Sequence, residues 1–447
     1  MPVEGAPSAL SVAAMTPEMW VSASVLLVAY VLIFTEVLHR TIAAIIGAVV
    51  MIGVGLSLGF YTQEAAIRAV DGNTILLLAA MMMLVALLRS TGAFDYAAVY
   101  ITRWARGNPK RLLVYLGLAV SLISMLLDNV TTVIVFAPLT ILICRLLKIN
   151  PMPYLMAEAM LSNIGGVATL VGDPPNLMIG SAGHISFNSF LLHMGLPVVA
   201  IWCGSVGLLL LLYRKQLVAM GGDPDALVAT HAIKDAGGLK RILFALAIVV
   251  GLFFVHHNLH ILPAYASFIG LSLALLLMRP DMEQLFNSVN WSVLIFFTAL
   301  FMIVGGVEAS GLLRLLGLEL ARLAKDPDML LLTGLLMMWA AALLSAVVDN
   351  IPFTVTMIPI ILGLEGSGVN IAPLWWALAL GVGLGGNGTH IGATANIIAV
   401  SESEKSGMAE ACITPLLWLR IGLPVMFMGL ILASLAYWLF FEFFMTL

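Results

Sequence analysis

Two Asp-Asn pairs stand where the chain is otherwise apolar. Leu127-Asp128-Asn129-Val130-Thr131-Thr132 joins two apolar arms, residues 112–127 and 130–147, and Asp349-Asn350-Ile351-Pro352-Phe353-Thr354 repeats the arrangement. A carboxylate at the centre of a bilayer costs at least ~2.5–3.5 kcal/mol by insertion scales, so it requires a partner or a function. Asp and Asn at such positions are expected to cap the following helix by accepting hydrogen bonds from its first amides. Pro352 suits a first helical turn, where no amide hydrogen is needed. A capped tip also aims a helix start and the hydroxyls of Thr131, Thr132 and Thr354 at one spot, so capping and ion handling are compatible roles.

A second pair of motifs interrupts apolar segments further on. Gly172-Asp173-Pro174-Pro175-Asn176 breaks one, and Gly392-Ala393-Thr394-Ala395-Asn396 breaks another, preceded by Asn387, Gly388, Thr389 and His390. Glycine releases a helix, Asp can cap a new one, and proline suits its first turn. A helix broken at mid-membrane leaves carbonyls for a cation and a positive helix start for an anion. The second break has no acid at the matching position, Ala393, so the two sites are expected to be inequivalent. His390 is a candidate proton carrier, weighed against the commoner structural role of a lone histidine. Glu158 reads as an interfacial group rather than a proton site. Gly55-Leu56-Ser57-Leu58-Gly59 has hydrolase-like spacing but no preceding strand, so close helix packing is the better reading. No HExxH occurs, and an enzyme is not expected.

The elements that hold these motifs follow from composition. Of 447 residues, 62% are hydrophobic and 10% charged, with mean hydropathy +1.08. So few charges cannot cover a soluble core of this size, and the apolar runs are of the length that crosses a ~30 Å hydrocarbon layer. The expected fold is an all-α polytopic membrane protein in a lipid bilayer. A net charge of −4 offers no electrostatic basis for a nucleic-acid partner. Cys144, Cys203 and Cys412 lack disulfide or zinc spacing, and neither cofactor nor resident metal is expected beyond a coupling ion, H+ or Na+. The stretch before Trp20 lacks a basic region, so a cleaved signal peptide is not expected.

The organisation is one unit written twice. Asp128-Asn129 recurs as Asp349-Asn350 and Pro138 as Pro359, each 221 positions on; Gly165-Gly166 recurs as Gly385-Gly386, Gly172 as Gly392 and Asn176 as Asn396, each 220 on. The expected division is an N-terminal segment 1–19, a first membrane repeat 20–214, a cytoplasmic linker 215–239 and a second repeat 240–447. Each half contains about five crossings, a two-arm hairpin and a broken helix, an odd count that places the second half upside down. With that topology sixteen basic residues, Arg40 and Arg89 among them, fall on one side and four on the other. The positive-inside rule makes the first side cytoplasmic and puts both termini outside. Re-entrant hairpins are expected in both halves, because a 16-residue arm reaches only ~24 Å; the arm 329–348 is long enough to span. Inverted repeats are the architecture of secondary transporters, with sites at the repeat interface.

At the two tips, the two breaks, Asn163-Ile164-Gly165-Gly166 and Gly385-Gly386-Asn387-Gly388-Thr389, the sequence resembles the ion transporter superfamily. It is most similar to the P protein (pink-eyed dilution) branch, with arsenite permeases, NhaD-type sodium–proton antiporters and a citrate transporter-like domain. The likeness runs from about Asp71 to Ser401. It implies two scaffold and two transport modules, a homodimer, and elevator-like alternating access. In the sodium–carboxylate branch, tips and breaks coordinate sodium and substrate. Carried over, sodium would meet Asn129, Gly172, Asn176, Asn350, Gly392 and Asn396. Those relatives carry Ser-Asn-Thr at the tips, so Asp128 and Asp349 depart from them and favour proton or sodium coupling. His390 stands where the P protein branch is expected to be apolar. The long loop of the animal proteins has no counterpart, which implies a prokaryotic plasma membrane.

The reading that results is a secondary active transporter coupled to H+ or Na+, moving a small ion or solute by Na+/H+ exchange or by efflux of an anion or metalloid. Asp128, Asn129, Thr131, Thr132, Asn163 and the 172–176 loop would form one half-site. Asp349, Asn350, Thr354, Asn387, Thr389, His390 and the 392–396 loop would form the other. The alternatives are a passive anion channel and a Na+-coupled carboxylate transporter.

Overall fold

A computed structural model describes residues 15–35, 37–217, 234–313, 315, 327–347, 350–366, 368–408 and 411–447. Asp349, most of the linker and most of the amphipathic piece ending at Lys325 lie outside the described residues. The described chain is helical throughout. The first half runs α1 (Pro17–Thr35), α2 (Arg40–Leu58), α3 (Gln63–Arg68), α4 (Gly72–Ser90), α5 (Ala93–Ala105), α6 (Pro109–Ser124), α7 (Asn129–Leu147), α8 (Met152–Gly166), α9 (Pro174–Ala182) and α10 (Phe187–Leu212). The second runs α11 (Ala236–Val255), α12 (Pro263–Met278), α13 (Met282–Asn287), α14 (Trp291–Ala309), α15 (Pro327–Val347), α16 (Asn350–Glu365), α17 (Ala372–Gly385), α18 (Thr394–Lys405), α19 (Pro415–Leu439) and α20 (Phe441–Phe444). Eight of these are long and apolar enough to cross a membrane, α7 and α15 among them. Outward-facing Leu27, Val49, Phe244 and Leu276 are exposed, as lipid contact requires.

Helix packing sorts the elements into two groups. In the first, α1 packs on α2, α2 on α14, α4 on α12, and α11 on α12. In the second, α6, α7 and α10 surround α8, while α15, α16 and α19 surround α17. Every residue of α8 and of α17 is buried, so these two helices form the centre of the second group. The halves interlock: α9 packs against α16, and α18 against α7. Each broken helix therefore runs on past its break into the hairpin of the other half.

Close backbone approach fixes the two central crossings. A Cβ on Gly165 would lie 2.5 Å from the Ser121 carbonyl oxygen, and one on Gly385 would lie 2.4 Å from that of Ala342. Only glycine permits helices to cross at that separation. One turn away the halves use opposite solutions. In the first, Gly117 of α6 accommodates the Leu161 side chain of α8; in the second the glycine is on the other helix, and Gly381 of α17 lies against the Met338 backbone carbonyl of α15.

Gly55 of the hydrolase-like motif packs against Tyr61, and Ser57 donates to its own helix at the Gly53 carbonyl, 2.8 Å away. Its counterpart Gly270 packs against Val249 of α11.

Candidate functional site

The first tip is a fully formed cap. Asp128 Oδ1 accepts from the Thr131 amide at 2.8 Å and Oδ2 from the Thr131 hydroxyl at 2.6 Å, while the Thr132 hydroxyl donates to the Asp128 carbonyl at 2.9 Å. Both carboxylate oxygens thus have donors, which offsets burial of the acid. At the second tip, the Thr354 hydroxyl donates to the Asn350 carbonyl at 2.8 Å.

The two breaks are closed by the same device. Asn176 Nδ2 donates to the Gly166 and Thr169 carbonyls at 3.0 and 2.9 Å; Asn396 Nδ2 donates to those of Gly386 and Thr389 at 2.7 and 2.8 Å. The Thr169 and Thr389 hydroxyls each donate, at 2.5 Å, to a carbonyl at the end of a hairpin arm, Met125 and Ala346. The carbonyls freed where α8 and α17 end are therefore partly taken up by the chain itself. Thr169 escaped the sequence reading, although it lies 220 positions before Thr389.

Asp173 does not cap α9, contrary to expectation. It makes no side-chain capping bond, and its Oδ2 instead accepts from Asn350 Nδ2 at 3.1 Å. Pro174 and Pro175 occupy the first turn of α9, so the helix start there offers few amides for capping.

A buried asparagine chain ties the halves together. Asn129 Nδ2 donates to Asn163 Oδ1 at 3.1 Å, and Asn163 Nδ2 donates to Asn387 Oδ1 at 2.9 Å and Asn396 Oδ1 at 3.0 Å. Asn387 continues to the Met160 carbonyl at 3.3 Å. The duplicate has Gly383 at the position of Asn163 and Val167 at that of Asn387. The network is accordingly one-sided, which the missing acid at Ala393 had suggested for the breaks.

A cavity of about 610 Å³ lies between the two helix groups. Asp128, Asn129, Thr131, Asp173, Pro174, Asn350 and Thr394 line one wall; Arg40, Arg89, Lys234, Asp281, Gln284 and Asn290 line the other. Thr132, Asn163, Gly172, Pro175, Asn176, Thr354, Asn387, Thr389, His390, Gly392 and Asn396 are outside its lining. Of the six groups expected around sodium, Asn129 and Asn350 reach the cavity and the other four are buried behind it. His390 is half-buried beside its break. Glu158, expected at an interface, is instead 1% exposed, because α8 is buried all round.

Arg40 is the functional candidate that sequence reasoning missed. In the sequence it counts only as one of the sixteen basic residues assigned to the cytoplasmic side, and it is the first residue of α2. Its guanidinium donates to Thr394 Oγ1 at 2.8 Å and lies 5.6 Å from the Phe296 ring centre. It lines both this cavity and an adjoining one of similar size that contains Tyr30 and Pro352. Arg40 and Thr394 are 354 residues apart, and no spacing signal connects them.

Among the described residues the chain is an all-helical, multi-pass body with a charged cavity between two helix groups, an architecture that membrane transporters use. The citrate transporter (CitMHS) family profile matches residues 30–381, and the chain belongs to this family. It is 35% identical to an uncharacterized transporter of Mycobacterium tuberculosis, covering 94% of this chain and 98% of that protein. A 46 kDa membrane protein of Mycobacterium leprae is 36% identical over the same shares. The human P protein is 30% identical over 91% of this chain, which spans 58% of the P protein. Among solved structures, the YdaH transporter of Alcanivorax borkumensis shares the fold, with a TM-score of 0.56, 13% identity, and coverage of 96% of this chain and 99% of that one.

Proposed function

We propose that the protein is a secondary active transporter that couples H+ or Na+ to the movement of a small anion by alternating access. The observation that carries this reading is the cavity itself. Its Asp128–Asp173 wall belongs to the interlocked group α6–α10 and α15–α19, and its Arg40 wall to the other group. Acids at the tips suit a coupling cation, and Arg40, Arg89 and Lys234 suit an anionic solute. Asp128, Asp173 and Asp349 are the coupling acids of this proposal. Asn129, Thr131, Asn350 and Thr394 are the polar contacts.

Arg89 and Lys234, which the positive-inside rule assigns to the cytoplasmic side, are among the residues that line the cavity. The state described is then inward-open, in an inner membrane, with both termini outside and the halves inverted about the boundary at residues 215–239. The interlocked group is the moving module of an elevator working in a homodimer. The citrate transporter family supports a carboxylate substrate. The extra tip acids support Na+/H+ exchange as the second reading.

The test is flux in proteoliposomes. Labelled citrate, arsenite and sodium are offered under an imposed pH or sodium gradient. Saturable uphill movement of one of them supports the proposal. Large conductance without uphill flux identifies a passive channel. Wild-type coupled flux in both Asp128→Asn and Asp349→Asn overturns the assignment of the acids.

A further inference from the structure

Glu158 is the one acid in α8, and the transport site described above does not use it. It is 1% exposed. The Thr140 hydroxyl of α7 donates to Oε1, while Oε2 has no hydrogen-bond partner. Among the described residues no lysine or arginine pairs with it. A carboxylate held permanently ionised there would lack the donors and cations that offset burial of a charge.

The duplicate half shows that the fold does not need a polar pair at this place. The positions matching Thr140 and Glu158 are Ile361 and Leu378, both fully buried and apolar. Packing alone is satisfied there by two hydrocarbon side chains. The first half has kept an acid and a hydroxyl instead.

The groups around the pair do not neutralise it. Cys144 stands one turn beyond Thr140 on α7, and Tyr154 one turn before Glu158 on α8. The Tyr154 hydroxyl is committed to the Pro109 carbonyl at 3.3 Å, and that of Tyr213, at the end of α10, to Met156 Sδ at 3.2 Å. Arg145 of α7 is exposed and donates to the Ser406 carbonyl at 3.0 Å. Helix α18 brings Glu402, Glu404 and Lys405 only in its last turn, where Glu402 and Lys405 pair at 2.7 Å. Helix α6 contributes Lys110, Arg111 and Tyr115 near its start, α19 the exposed Arg420 and the Tyr437 hydroxyl bound to the Pro373 carbonyl, and α17 no titratable group.

Helix α7 connects this pair to the cavity. Thr140 lies eleven residues past Asn129, about 16 Å along the helix at ~1.5 Å per residue. Pro138 lies inside the helix between them and cannot bond the carbonyl of Ile134, a residue that lines both cavities.

We propose that Glu158, held by Thr140, is a proton-binding site of the transport cycle, separate from the acids at the tips. This rests on the ion-coupled transport proposed above. The step is proton exchange alone: the neutral acid gives its proton to water and the carboxylate takes one back. Loss of the proton leaves a charge between α7 and α8, and the pair relieves it by shifting α7 at its proline, which moves the tip at Asp128–Asn129.

The test reads the proton directly. Purified full-length protein in liposomes is followed by infrared difference spectroscopy as the pH is raised from about 5 to about 9, a range that brackets buried carboxyl groups. The expected result is a carboxylic-acid C=O band that disappears on alkalinisation, persists in Asp128→Asn and is absent in Glu158→Gln. A band that survives the whole range identifies a permanently protonated structural acid and overturns the proposal. So does an unchanged titrating band in Glu158→Gln. If Glu158→Gln does not fold, Thr140→Val decides: removing the hydroxyl must shift the band and the pH at which it titrates, and an unshifted band overturns the assignment. A titrating Glu158 band together with no flux of any solute would sink the transport reading and leave the proton site standing.

Discussion

Asn350 donates its side-chain amide to the Asp173 carboxylate at 3.1 Å, joining the start of α16 to the break before α9 across 177 residues of sequence. The contact binds the tip of one half to the broken helix of the other at the wall of the central cavity. Its loss tests whether that wall holds together as one body. In Asn350→Ala the buried carboxylate loses a donor, at an expected cost of about 1.5–3 kcal/mol, the range for hydrogen bonds to charged groups. A lower melting temperature in detergent, with Asp173→Asn restoring part of it in the double variant, is the expected outcome. Additive losses in the double variant would show that the two side chains do not interact in solution.

Asn163 is the hub of the asparagine chain, with bonds to Asn129, Asn387 and Asn396. Asn163→Leu strands three buried polar groups, each worth about 1–3 kcal/mol when left without a partner. The melting temperature should fall further than in Asn350→Ala, and flux should be lost with it. A variant as stable as wild type would mean that water or rearrangement replaces the hub.

The glycines at the central crossings give a steric prediction. Gly165→Ala and Gly385→Ala place a methyl group about 2.5 Å from a backbone oxygen and must spread the helices, at a cost of about 1–3 kcal/mol each. Gly207 of α10 has open space at its Cβ position, so Gly207→Ala should be neutral or slightly stabilising. Thermal unfolding of the three single variants separates these outcomes. Equal melting temperatures would refute the crossing geometry.

The direction in which the cavity opens can be read by thiol labelling. Cys203 and Cys412 are exposed and Cys144 is buried, so a Cys203→Ser, Cys412→Ser background leaves little reactive thiol. Thr131→Cys in that background places a thiol in the cavity wall. A membrane-impermeant maleimide should label it from the face bearing Arg89 and Lys234, and not from the opposite face in the absence of gradient. Labelling from the opposite face alone would reverse the assigned state.

Arg40 reaches Thr394 from a different helix group, so this hydrogen bond must break if the interlocked module moves. Arg40→Lys keeps the charge but loses the planar fork that can hold an anion through two parallel bonds. If Arg40 also meets the solute, Arg40→Lys should raise the KM for an anionic solute about tenfold or more, equivalent to about 1.4 kcal/mol, with a smaller effect on maximal rate. A change in maximal rate alone would assign Arg40 to the conformational step instead.

Local chemistry and repetition made much of the protein legible from its residues. Apolar runs of spanning length specify helices wherever the solvent is hydrocarbon, and a proline or glycine inside one marks a break that no membrane environment hides. The constant offset of 220 or 221 residues pairs the tips and the breaks, because duplicated backbone needs the same caps and the same close approaches. The Asp128 cap, the Pro174-Pro175 helix start and the paired Asn176 and Asn396 loops all follow from such short-range rules. Their partners across the chain do not. Whether Asp173 caps its own helix or meets Asn350 depends on how two halves interlock. Whether Glu158 faces an interface or an apolar wall depends on which helices surround α8, and whether Arg40 faces headgroups or Thr394 depends on the packing of α2. Those are contacts between residues tens to hundreds of positions apart, decided by side-chain packing in three dimensions, and no periodicity or spacing along one chain encodes them.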